Sequence, residues 1–111
     1  MKLSALDPQW LKATSEKSWR RGVLRAEANG VLFLCPKCYA ANGGPVGTHS
    51  VICWAPDAPE EIRPAPGRWE MAGDSFDTLT LHNPGKSNSV QLLGGGCMAH
   101  FFVENGSIRM A

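Results

Sequence analysis

Apolar and polar residues alternate at short range along most of this chain, and turn-forming residues break the pattern every few positions. That predicts short strands rather than long helices. His49 to Trp54 reads as a strand with His49, Val51 and Cys53 on one face and Ser50, Ile52 and Trp54 on the other. Trp69 to Met71, Phe76 to Leu81 and Ser87 to Leu93 are further short strands, with a turn at Asn83-Pro84-Gly85. Two Asn-Gly pairs stand between strand-like runs. Asn29-Gly30 lies between Val23–Ala28 and Val31–Leu34, and Asn105-Gly106 between His100–Glu104 and Ser107–Met110. Both predict type I′ hairpins, whose two central residues need positive φ.

One stretch departs from this rhythm. Leu3 to Arg21 has Asp7 as an N-cap candidate, Pro8 at the first helical position and Gly22 as a stop. Trp10, Leu11, Thr14 and Lys17-Ser18 supply a partial stripe. A helix is expected there. Tyr39 to Thr48 reads as loop, and Ala55 to Arg68 as a proline-rich excursion exposed through Asp57, Glu60 and Glu61.

Composition supports a single small domain. The 111 residues are 43% hydrophobic, with twelve glycines and eight prolines. The expected organisation is an N-terminal helix or arm over residues 1–22 and a zinc-stabilised β domain over 23–111. The fold class is mainly β, a small α+β arrangement of short antiparallel strands and hairpins pinned by a metal, with one N-terminal helix. A core this small is commonly supplemented by a metal.

Net charge is +1, so no global basic signature marks a nucleic-acid binder. The charge is nevertheless uneven. Through Arg25 six basic residues face Asp7 and Glu16, a net of +4, whereas the remainder holds five basic and eight acidic residues, a net of −3. The basic end reads as a solvated helix face, a loosely held arm, or a contact surface. In the last case Lys17, Arg20 and Arg21, with Lys12, are the nucleic-acid contacts, and Trp19 adds a stacking face. Trp69, beside Arg63 and Arg68, is a second candidate contact.

Neither a signal peptide nor a run long enough to cross a bilayer is visible, which predicts a cytoplasmic protein whose thiols stay reduced. Four cysteines then read as metal ligands or core residues. Cys35-Pro36-Lys37-Cys38 and Cys97-Met98-Ala99-His100 each place two donors three positions apart. Together they offer three thiolates and one imidazole, the set of a closed tetrahedral zinc site. Gly94-Gly95-Gly96 frees the backbone ahead of Cys97. The alternatives are core cysteines and a redox pair at Cys35 and Cys38; a redox pair usually opens a helix, which Tyr39 to Gly44 does not resemble. Cys53 reads as core and as an alternative ligand. His49 reads as a loop-edge residue, a second-shell group or a fourth ligand.

Four protein ligands leave no open position, so the expected zinc is structural and no catalytic residue is assigned. No H-E-x-x-H, G-x-S-x-G or phosphate loop is present, and the H-x-E with P-C-x-x-C pattern of deaminases is absent.

The order Phe33-Leu34-Cys35-Pro36-Lys37-Cys38, His49 to Trp54, Pro66-Gly67-Arg68-Trp69, Asp77-Thr78-Leu79-Thr80-Leu81 and Cys97 to Gly106 resembles a family of small, uncharacterised phage and prophage proteins. The resemblance spans about Val31 to Met110. It implies metal binding by Cys35, Cys38, Cys97 and His100, and a phage or prophage origin. The chain departs from the family at His82-Asn83-Pro84-Gly85, where relatives carry a P-S-[IV] run. Some relatives carry an oxygenase label; oxygen chemistry would want open metal positions and oxygen or histidine ligands, which these residues do not supply.

The resulting expectation is a zinc-stabilised accessory or binding protein in a bacterial host cytoplasm. It would have a protein partner and no membrane association. The alternatives are a nucleic-acid-binding, zinc-ribbon-like module and a zinc enzyme in which one of the four ligands is absent.

Overall fold

The structure is a computed structural model that describes residues 1–62, 67–83, 87–92 and 97–111. Arg63, Pro64 and Pro66, the Pro84-Gly85 part of the expected turn, the end of the expected strand at Leu93, and Gly94 to Gly96 lie outside the described residues.

Nine strands form three antiparallel sheets among the described residues. Strands β1 (Gln9–Ser15), β2 (Ser18–Arg21), β3 (Gly30–Leu34) and β4 (Ser50–Trp54) make a sheet of order β2-β1-β3-β4. Strands β5 (Glu70–Ala72) and β6 (Thr80–His82) pair with each other. Strands β7 (Val90–Gln91), β8 (His100–Glu104) and β9 (Ser107–Met110) make the third sheet. The one α-helix, α1, covers Pro36–Asn42. Short antiparallel strands with a single helix were the expected fold class.

The N-terminal helix is where the chain departs most from its sequence reading. Leu3–Leu6 is a single 3-10 turn, and Gln9 to Arg21 is a β-hairpin. Asp7 takes a left-handed backbone (φ 49) and starts no α-helix. The physical reason lies in two adjacent apolar residues with different destinations. Trp10 packs into the main core, whereas Leu11 and Ala13 enter a second cluster on the opposite face of the sheet. A strand sends neighbours to opposite faces, and a helix would set them side by side. The helical stripe looked partial because it was two strand faces read as one.

The Asn29-Gly30 hairpin is also absent. Residues Arg25–Glu27 form a 3-10 turn, and Gly30 opens β3. Asn29 is buried and ties three segments together. Its side-chain oxygen accepts from the Ala13 N–H (2.9 Å), its N–H donates to Leu11 (2.9 Å), and its carbonyl accepts from Ala55 (2.7 Å). Gly30 is required because a β-carbon there would collide with the Trp54 ring.

Asn105-Gly106 does form its hairpin, with both residues at positive φ (47 and 75). This turn also anchors the chain start. The Leu3 N–H donates to the Gly106 carbonyl (2.8 Å), and Gly106 donates to Leu79 (2.8 Å).

The main core lies between the three sheets. Phe33 meets Phe101 edge-on, with centroids 5.9 Å apart, and Val31, Val51 and Val103 pack around them. Trp69, expected as an exposed contact, is buried here, and its indole N–H has no hydrogen-bond partner among the described residues. The connection after β4 also differs from the expected excursion. Ala58 and Ile62 cap the second core over Leu11 and Trp54, while Pro56, Asp57, Glu60 and Glu61 are exposed. Arg68 holds this segment by donating to the carbonyls of Pro59 (2.7 Å) and Glu60 (3.1 Å).

Candidate metal centre

Three separate segments bring four side chains able to ligate a metal to the rim of the main core. Cys35 follows β3 and is the N-cap of α1, with an extended backbone (φ −62, ψ 122). Pro36 occupies the first helical position, where its missing N–H costs nothing. The next helical turn returns Cys38 to the same side as Cys35, as the spacing of three requires. The helix was expected as loop because Asn42-Gly43-Gly44 dominates that stretch. These residues instead end the helix: Gly43 is left-handed (φ 68), and the Gly44 N–H donates back to Tyr39 (3.0 Å).

His49 precedes β4 and supplies the imidazole. Its Nε2 lies 3.2 Å from Cys97 Sγ, and its Nδ1 is 3.2 Å from the Ser50 carbonyl oxygen. Cys97 arrives from the other end of the chain, and its Sγ is 3.8 Å from that of Cys35. Lys37 donates to the Cys97 carbonyl at 2.6 Å, which holds the two segments together. The donor atoms of Cys35, Cys38, His49 and Cys97 all lie within 4.8 Å of one another.

These distances suit a tetrahedral ion. Two sulfurs at about 2.3 Å from a metal and at the tetrahedral angle stand about 3.8 Å apart. Cys35 and Cys97 already show that spacing. Cys35 is buried, Cys38 and Cys97 are half-buried, and His49 is exposed, so the group has one dry side and one side open to solvent.

The thiols do not titrate alike. Burial pushes the Cys38 thiol up to about 11, helped by hydrogen bonding with Cys97 and Cys35. Burial also raises Cys97, but hydrogen bonds from His49, from the Ala99 backbone and from the other two thiols outweigh it and hold Cys97 near 7. Cys97 is therefore a readier thiolate than Cys38, a property that suits a metal ligand.

Of the expected ligand set, Cys35, Cys38 and Cys97 come together and His100 does not join them. The alternation of β8 explains this. Phe101 and Val103 point into the core, which turns His100 and Phe102 to the outer face. There the His100 ring stacks on Phe102, with centroids 6.3 Å apart. His49 takes the fourth place. Its signal was present in the strand register: Leu34 pairs with Ser50, so one step beyond stand Cys35 and His49.

Cys53 faces the main core opposite Val31, outside the four-residue group, and burial pushes its thiol far up. All four cysteines are free thiols.

The expected nucleic-acid residues lie elsewhere. Lys17 is in the β1–β2 turn, and Arg20 and Arg21 are on β2, all exposed. Trp19 is half-buried and meets Trp54 edge-on at 6.0 Å. No helix among the described residues is long and apolar enough to cross a membrane.

No family model, no curated protein and no solved structure matches this chain.

Proposed function

We propose that Cys35, Cys38, His49 and Cys97 bind one zinc ion as a closed structural centre, and that the chain is a small zinc-stapled binding or accessory protein. One observation carries this reading: four soft or borderline donors from three distant segments converge within 4.8 Å. Thiolate and imidazole donors favour zinc over hard cations. With all four positions taken by protein, no coordination site is left for water or substrate. The metal's role is then to fix α1, β4 and the start of the β8–β9 hairpin against one another. The phage or prophage origin, and a bacterial host cytoplasm as the setting, rest on the resemblance of the C-P-x-C, D-x-L-T-L and C-x-x-H-x-F segments.

Elemental analysis of protein purified without chelator tests the proposal. The expected result is one zinc per chain, with loss of cooperative unfolding after chelation. A folded, metal-free protein overturns it. So does a metal held by three protein ligands and a water, which is the arrangement of an enzyme.

A further inference from the structure

Strand β2 is an edge of the four-stranded sheet, and its outward side carries no partner strand among the described residues. The ladder fixes which backbone groups face outward. Gly22 donates to Trp10, and Lys12 pairs with Arg20. Hydrogen-bonded pairs alternate along an antiparallel ladder, so the intervening Trp19 and Arg21 direct their N–H and C=O groups away from β1. The side chains beside this open ladder are cationic. Arg20 and Lys12 share one face, and Trp19 and Arg21 the other. Among the described residues Lys12, Lys17, Arg20 and Arg21 have neither an ion pair nor a side-chain hydrogen bond. A surface hollow lined by Lys17, Ser18, Trp19 and Arg21 runs along this edge.

We infer that β2 is a docking edge for an extended acidic segment of a partner protein, which adds as a fifth strand beside Trp19 and Arg21. Backbone pairing would supply affinity, and Lys17, Arg20 and Arg21 would select carboxylates. The inference names the partner of the zinc-stapled binding protein proposed above and rests on that reading.

Two other occupants fit less well. A second copy of β2 would set Arg20 and Arg21 against the same arginines, and like charges directly opposite destabilise a ladder. A nucleic acid can accept from the open N–H groups, but it cannot pair the alternating N–H and C=O row as an extended strand does.

The experiment is fluorescence anisotropy with the zinc-loaded full chain and a short labelled peptide alternating glutamate with valine. Binding is expected at low salt. The Arg20→Glu/Arg21→Glu variant should weaken it about tenfold or more. The same peptide N-methylated on alternate residues keeps its charge but cannot complete a ladder, and it should bind about tenfold more weakly or worse. Equal binding of the N-methylated peptide overturns the inference, as does no binding of the parent peptide. Tighter binding of an oligothymidylate of equal charge overturns it in favour of a nucleic-acid surface. Zinc content and circular dichroism on the same samples separate a failure of this edge from a failure of the metal centre.

Discussion

The Cys35 N–H donates to the His49 carbonyl at 2.8 Å. This bond continues the β3–β4 ladder one pair beyond Leu34 and Ser50. The sheet's register therefore sets the spacing between two of the proposed metal ligands. The centre is built from the core outward, and its fourth ligand follows from strand pairing rather than from a local motif.

Replacing His49 by Ala should consequently weaken zinc binding far more than replacing His100. Loss of an outer-shell partner typically costs about 10–100-fold in metal affinity, so loss of a ligand should cost at least about 100-fold. His100→Ala should leave zinc affinity within about threefold, since its ring lies on the outer face of β8, stacked on Phe102 and outside the four-residue group. Competition with a chromophoric chelator measures both. Equal losses in the two variants would return the fourth position to the C-x-x-H motif.

Cys97→Ser should uncouple the two ends of the chain. It removes a sulfur that stands 3.8 Å from Cys35 and 3.2 Å from His49. Zinc binding in such centres is folding free energy, so the wild-type melting temperature should fall by at least about 10 °C on chelation. The variant should start low and respond little to chelator. Thermal denaturation with and without chelator reads both effects. A native-like, chelator-insensitive Cys97→Ser protein would show that the site does not hold the fold together.

The two Asn-Gly pairs differ in what surrounds them, and so should their variants. Asn29→Ala would strip the acceptor from the buried Ala13 N–H and should destabilise by about 1–3 kcal/mol. Gly30→Ala would drive a methyl into the Trp54 ring and should cost about 1–3 kcal/mol through overpacking. Gly106→Ala combines positive φ with a collision against the Asp77 backbone, so it should be at least as damaging. Urea denaturation midpoints would rank the three.

Those pairs also show where the sequence was legible. Asn105-Gly106 sits between runs that really are strands, and the positive φ of both residues suits the turn they form. Asn29-Gly30 has the same chemistry, yet a buried amide and a close tryptophan decide its role, and neither is visible locally. The three cysteine ligands could be found because thiolate spacing is itself the chemistry. His49 could not be chosen over His100 without the β3–β4 register. The N-terminal hairpin was hidden because Trp10 and Leu11 serve two different cores, a division that periodicity over one stretch does not reveal.

Metal binding should release protons, and the number should depend on pH in a definite direction. Cys38 is raised to about 11, so the metal-free chain keeps that proton at neutral pH and zinc must displace it. Cys97 sits near 7, so above that pH it is already a thiolate, and below it carries a further proton to be displaced. The protons that zinc displaces from Cys97 should therefore rise by about one as the pH falls from about 8 to about 6, and zinc affinity should fall over the same interval. Zinc titration in weak buffer with a pH indicator measures the release directly. The contribution of Cys97 can be isolated because its low value depends on the hydrogen bond from His49. In a His49→Gln variant the Cys97 thiol should titrate higher, and thiol alkylation of the metal-free chain near neutral pH should slow. An unchanged alkylation profile would mean that the Ala99 backbone and the neighbouring thiols hold Cys97 down without the imidazole.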